Sequence, residues 1–239
     1  VGEWMGIYLN PGSAMFQKSL KSKIYVDKSG LLAILNELVD TEQRYVCVSR
    51  PRRFGKSMAA NMLAAYYGSS EDTSALFASL EISQCAGYRD HLNQYDVLKI
   101  NMQDFLSESQ SIEDMLAHLT ACLIRDLKNG FPQIDFSYAK SLVSVMREVF
   151  AQTGRSFVIL IDEWDCLFRE YESNKEAQKQ YLDFLRVWLK DKEYVGLAYM
   201  TGILPIKKYG SHSALNMFTE YSMTNPREMA GYFGFTEDE

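Results

Sequence analysis

The chain has 239 residues, 47% of them hydrophobic and 23% charged, with 25 basic against 31 acidic side chains and a formal net charge of −6. That length suits one large α/β domain with a full core, or one domain and a small appendage, in a protein of ordinary globular composition. The acidic balance argues against a surface that binds nucleic acid over its whole extent, although a local basic patch stays open.

Residues 1–23 mix Gly, Pro, Ser and Lys and are expected to be irregular. Residues 24–29 then lead into an amphipathic helix predicted over 30–39. Residues 44–57 run a short apolar strand straight into a loop ending Gly55-Lys56-Ser57, and then into a helical run over 58–67. A polar break at 68–73 and a short helix near 75–80 follow, and residues 95–102 read as a second core strand. Ile112, Met115, Leu116, Leu119, Leu123 and Leu127 recur at helical spacing behind Ser111, a candidate N-cap, until Phe131-Pro132 ends the pattern. A further helix is predicted over 139–152, a strand over 157–163 and a helix over 178–190. A fourth strand at 195–202 ends beside Thr201, and a short fifth lies at 218–223. Five strands separated by helical crossovers imply a three-layer α/β fold around a parallel sheet. At the end of the chain, residues 224–239 read as the start of a further, truncated region, because Thr236-x-x-Glu239 opens a capping box with no helix left to cap.

Two stretches carry chemistry. Strand, loop and helix around Gly55-Lys56-Ser57 have the form of a phosphate-binding P-loop, or Walker A motif. Glycine lets backbone N–H groups close on phosphates, lysine reaches the β and γ oxygens, and the serine hydroxyl ligates Mg²⁺ at a helix N-terminus. The full pattern G-x-x-x-x-G-K-[ST] would place glycine at 50, where the chain has Arg50 followed by Pro51. The second stretch, Phe157-Val158-Ile159-Leu160-Ile161-Asp162-Glu163, has the form of a Walker B strand. Its continuous apolar run suits a strand buried on both faces, Asp162 is the candidate Mg²⁺ ligand, and Glu163 the candidate base that polarises the attacking water.

Other chemistries find less support. Cys47, Cys85, Cys122 and Cys166 form no C-x-x-C pair, and His91, His118 and His212 are scattered singly, so neither a metal cluster nor a Ser-His-Asp triad is indicated. A GTPase would need N-K-x-D, and Asn174-Lys175-Glu176-Ala177 lacks the aspartate. No apolar stretch approaches the roughly 20 residues that cross a bilayer, and no basic segment leads into an apolar one at the N-terminus. A cytoplasmic protein without a membrane partner is expected.

Taken together, Tyr25-Val26-Asp27-Lys28, Arg50-Pro51-Arg52-Arg53-Phe54-Gly55-Lys56-Ser57, Leu160-Ile161-Asp162-Glu163-Trp164-Asp165, Met200-Thr201-Gly202-Ile203 and Gly234-Phe235-Thr236 resemble the AAA-ATPase-like domain of bacterial P-loop proteins. Such proteins often carry a C-terminal nuclease-like domain of the PD-(D/E)xK type. The resemblance covers the chain from about residue 10 to its end. It implies a P-loop ATPase with strand order 5-1-4-3-2 and a catalytic glutamate, Glu163, and it matches Thr201 to a site that senses the γ-phosphate. The phosphate cradle is then Arg52, Arg53, Phe54, Gly55, Lys56, Ser57 and Met58, with Ser57 and Asp162 on the metal. ATP and Mg²⁺ are the expected ligands, and a C-terminal effector domain the expected partner. A homo-oligomer stays open, and nucleic acid enters only through the effector. No residue is assigned as an arginine finger from a neighbouring subunit, and Arg147, Arg169 and Arg227 stand equal in that respect. Tyr25 and Asp27 are read as structural residues near the nucleotide. Two functional readings follow: Mg²⁺-dependent ATP hydrolysis that moves an effector, or a nucleotide-gated binding module with negligible turnover.

Overall fold

A computed structural model of the chain describes residues 5–49, 56–209 and 214–222. Strands β1 (Tyr45–Ser49), β2 (Asp96–Asn101), β3 (Phe157–Asp162), β4 (Val195–Gly202) and β5 (Thr219–Ser222) form one sheet in the order β2-β3-β4-β1-β5, every pair parallel. That is the expected 5-1-4-3-2 order seen from the other edge. The helices in chain order are α1 (Ala14–Leu20), α2 (Gly30–Leu38), α3 (Lys56–Tyr67), α4 (Ser74–Phe77), α5 (Tyr88–His91), α6 (Met102–Ser107), α7 (Ile112–Gly130), α8 (Leu142–Thr153), α9 (Cys166–Glu170), α10 (Lys175–Leu189) and α11 (Ile206–Tyr209).

Every residue of β1 and β4 is buried, as a strand covered on both faces requires. Alternate side chains enter opposite layers. Val46, Val48, Val158, Leu160, Leu197 and Tyr199 pack with Leu31, Leu32 and Leu35 of α2 and Met62 and Leu63 of α3. Their neighbours Tyr45, Cys47, Ile159, Ile161, Ala198 and Met200 pack with Leu119 and Leu123 of α7, Met146 of α8 and Leu185 and Trp188 of α10. The three-layer α/β architecture, consistent with a P-loop NTPase, follows from this division.

Local signals explain most of the ends. Ser111 caps α7 by accepting the Asp114 N–H at 3.0 Å, Asn174 caps α10 from Ala177 at 3.0 Å, and α8 closes on Gly154 at φ 68°, a left-handed position that suits glycine. Some expectations need correction. The segment expected to be irregular contains α1, because Phe16 is buried and stacks on Phe77 with ring centroids 5.1 Å apart. In place of one helix at 75–80 there is α4 and, further on, a 3-10 turn at Glu81–Gln84. The turn is held by Asp27, which accepts the Glu81 N–H at 2.8 Å, and by Ser29, which accepts that of Ile82 at 3.0 Å. Asp27 is thus a structural anchor, while Tyr25 packs partly buried against the α2 and α3 layer. The capping box at Thr236 and Glu239 lies outside the described residues.

Candidate active site

The register Val48↔Thr201, Ser49↔Gly202 and Ile161↔Met200 brings the C-terminal ends of β1, β4 and β3 into one row. In open α/β sheets ligands bind in the crevice beyond these ends. Helix α3 follows β1 and opens at Lys56, with Ser57 and Met58 exposed in its first turn. Arg50, Arg52, Arg53, Phe54 and Gly55 lie outside the described residues. Helix α3 packs its buried Ala59, Met62 and Leu63 in the same layer as Val158 and Leu160 of β3, which fixes the helix against the strand carrying the acidic pair.

Asp162 ends β3, and its Oδ1 accepts a 2.5 Å hydrogen bond from the hydroxyl of Thr201. Thr201 is buried near the end of β4, so the side chain expected to sense phosphate also orients the carboxylate expected to hold the metal. One residue on, the backbone of Glu163 turns left-handed with φ 55°, and Trp164 donates its N–H to the Thr201 carbonyl at 3.0 Å. Tyr181 of α10 donates to the Trp164 carbonyl at 2.5 Å, and the Trp164 ring packs on Phe168. Trp164 is a packing residue.

Asp165 is the residue whose part the sequence does not reveal. Fully buried, it accepts the N–H groups of Ile203 and Leu204 on Oδ2 at 2.9 and 2.7 Å. It therefore fastens the turn after β3 to the segment leaving β4. Gly202 makes room for it: a Cβ there would meet Asp165 Oδ1 at 2.7 Å and Trp164 Cδ1 at 2.8 Å. Arg169 of α9 completes the cluster. Its Nη2 donates to Glu163 Oε2, and its Nε lies 3.6 Å from Asp165 Oδ2. Buried Trp164 Nε1, Asp165 Oδ1 and Arg169 Nε have no hydrogen-bond partner.

Of the three finger candidates, Arg169 thus engages the glutamate of its own chain. Arg147 stands on α8 and acts electrostatically on Lys192 and Tyr194, which precede β4 at the far edge of the sheet. Arg227 lies outside the described residues. Burial pushes the Cys166 thiol up to about 12 against a weaker opposing pull from Arg169. Cys47 is raised by burial and by the charges of Glu220 and Asp165. Both stay protonated at neutral pH, which removes a thiolate nucleophile from this end of the sheet.

Among the described residues no group of three or more His, Cys, Asp or Glu could hold a metal ion. Mg²⁺ asks for less: it commonly takes one or two protein oxygens and completes its shell with water and substrate phosphates. Asp162 at the end of β3 and the Ser57 hydroxyl in the first turn of α3 are hard oxygens of the type this ion takes.

The model of a family described as a predicted AAA-ATPase matches residues 13–211, taking in α3, β3 and β4 with the turn they frame. The chain belongs to this AAA-ATPase-like family. Among curated proteins it is similar to an uncharacterized protein in the vnfD 5′ region of Azotobacter chroococcum mcd 1, with 26% identity over 218 residues. The match takes in 89% of this chain and 40% of the relative, so the chain spans well under half of that protein's length. Family membership accounts for a nucleotide-binding, ATPase-like fold. No helix among the described residues is long and apolar enough to cross a membrane.

Proposed function

We propose that this AAA-ATPase-like domain binds ATP with Mg²⁺ at the ends of β1, β3 and β4 and hydrolyses it. The observation that carries the reading is the Asp162–Thr201 hydrogen bond beside Glu163, which places an oriented carboxylate and a second, part-exposed one at the C-terminal edge of the sheet. The P-loop amides and Lys56 would hold the β and γ phosphates, assisted by Arg52, Arg53, Phe54, Gly55 and Met58. Ser57 and Asp162 would hold Mg²⁺. When bound, the ion neutralises phosphate charge and aligns the γ-phosphoryl group. Glu163 would accept a proton from the attacking water, and Thr201 would keep Asp162 in register while its hydroxyl lies near the reacting end. Hydrolysis would move an effector, fused or separate, and any action on nucleic acid would belong to that effector. The reading places the protein in the cytoplasm, where ATP is abundant.

The test is steady-state phosphate release from ATP with Mg²⁺ for wild type, Lys56→Ala and Glu163→Gln. Removal of a general base typically costs about 10²–10⁴-fold, so Glu163→Gln should bind ATP and lose turnover, while Lys56→Ala should lose affinity. Wild-type turnover untouched by Glu163→Gln overturns the catalytic assignment. A second reading, a nucleotide-gated module with negligible turnover, is favoured by one observation: the Glu163 carboxylate is engaged by Arg169. ATP binding without phosphate release in wild type would select it.

A further inference from the structure

We propose that Arg169 is a positioning residue that latches Glu163, holding the carboxylate away from water and so setting the turnover of the domain; this rests on the hydrolytic reading above.

Three observations converge. The guanidinium Nη2 donates to Glu163 Oε2, and the side chains are only 19% and 31% exposed, so water competes poorly for the pair. A carboxylate oxygen committed to a guanidinium proton has that lone pair withdrawn from the water it must deprotonate. Second, the arginine is held from behind. Asp165, fully buried, lies 3.6 Å from Arg169 Nε and is fastened by the N–H groups of Ile203 and Leu204. Third, this anchor is continuous with Thr201, whose hydroxyl bonds Asp162 and whose carbonyl accepts the Trp164 N–H. Anything that shifts the end of β4 shifts the base of the latch. The unmatched buried polar atoms in the same cluster, Asp165 Oδ1 and Arg169 Nε, mark an arrangement that is not the most fully bonded one available to these groups. Rotation of Arg169 onto Asp165, whose Oδ2 already lies 3.6 Å from Nε, would free Glu163. The proposed latch has two positions for one side chain: guanidinium on Glu163, as observed, or guanidinium turned onto Asp165. A ligand contacting the end of β4 biases between them by its differential contacts.

The experiment measures ATP turnover and equilibrium ATP binding of the chain with Arg169→Met, Arg169→Gln and Arg169→Lys, the first also combined with Glu163→Gln. Arg169→Met keeps the aliphatic stem and removes the charge. The expected rise in kcat is roughly three- to tenfold, the factor that a part-buried charge pair can impose on an engaged-to-released equilibrium. KM and ATP affinity should stay unchanged. Arg169→Lys should return turnover toward wild type, and with Glu163→Gln the effect of Arg169→Met should vanish. A structural role alone would lower kcat and thermal stability together; if Arg169→Met fails to fold, Arg169→Gln, which retains a neutral donor, carries the same expectation. Turnover unchanged or reduced in the Arg169 variants, while Glu163→Gln abolishes it, overturns the latch and leaves the ATPase reading standing. ATP binding with no turnover in wild type or any Arg169 variant also overturns the latch. Absence of ATP binding, or turnover indifferent to Glu163→Gln, overturns the ATPase reading itself and the latch with it.

Discussion

Glu163 leaves β3 with φ 55°, a left-handed conformation that costs a side-chain-bearing residue about 1–2 kcal/mol. Its neighbours over-determine that conformation: Trp164 is tied to Thr201, Asp165 to Ile203 and Leu204, and Tyr181 to the Trp164 carbonyl. Gly202 is where this bolting is tightest. Adding one methyl brings Cβ to 2.7 Å from Asp165 Oδ1 and 2.8 Å from Trp164 Cδ1, and neither partner can retreat, since both residues are fully buried. Overpacking of this kind costs about 1–3 kcal/mol. Gly202→Ala should therefore lower the free energy of unfolding by that amount in urea titrations, with unchanged m, and should depress turnover as well; a variant as stable as wild type would show that the Asp165 clamp yields freely. The same cluster marks how far the site could be read from sequence. Asp162, Glu163 and Thr201 stand at the ends of apolar runs and are visible there, and the structure sets them side by side. Arg169 and Asp165 are not visible in that way. Their contacts depend on the left-handed turn at Glu163 and on a five-residue helix, α9, neither of which has a periodic signature.

At the level of elements, α7 separates two sources of stability. Its N-terminus depends on Ser111, whose hydroxyl accepts the Asp114 N–H at the exposed surface, and its body on Leu119 and Leu123, fully buried in the layer of Ile159 and Met200. Loss of a cap costs roughly 0.5–2 kcal/mol, whereas truncation of a buried leucine to alanine costs about 2–5 kcal/mol. Leu123→Ala should thus destabilise clearly more than Ser111→Ala in equilibrium denaturation, and neither should change ATP affinity per folded molecule. The reverse ranking would mean that the helix is held by its end and not by its face. Why α7 could be predicted and α1 or α6 could not has the same explanation. A 19-residue helix repeats its apolar stripe often enough to be recognised. By contrast α6 has six residues and begins one residue after β2 ends, capped by the Asn101 carboxamide accepting the Gln103 N–H, so its first residue, Met102, falls within the strand predicted over 95–102 and too few residues remain to show a helical stripe. Helix α1 depends on a distant partner for Phe16, the ring of Phe77. The strands were legible because burial on both faces leaves runs without polar interruption, and their order because the family resemblance supplied it.

For the whole molecule, the two packed layers bury phenols to a degree that links folding to alkaline pH. The chain has 15 tyrosines. Burial, with a smaller contribution from neighbouring carboxylates, pushes Tyr25 and Tyr95 up to about 12 from an ordinary 10.0. Tyr67 and Tyr181 are raised well above that ordinary value, and Tyr66 and Tyr194 are also raised, all by desolvation first. Several of these hydroxyls donate to main-chain carbonyls, Tyr66 to Tyr88 at 2.7 Å and Tyr181 to Trp164 at 2.5 Å, bonds that a phenolate cannot make. The sign follows from proton counting: above pH 10 the unfolded chain releases tyrosine protons that the folded chain retains, so the unfolded state binds fewer protons and stability falls as pH rises. The contribution is intact below the unfolded value of about 10 and is lost progressively from there through about 12, the value for Tyr25 and Tyr95. Tyrosinate absorbance and far-ultraviolet circular dichroism followed together should show exposed phenols ionising first with the helices intact, then a second group appearing only as the helical signal collapses. If all the phenols titrated together near pH 10 before any loss of helix, the two-layer burial that also positions β1, β3 and β4 around the site would be refuted at its base.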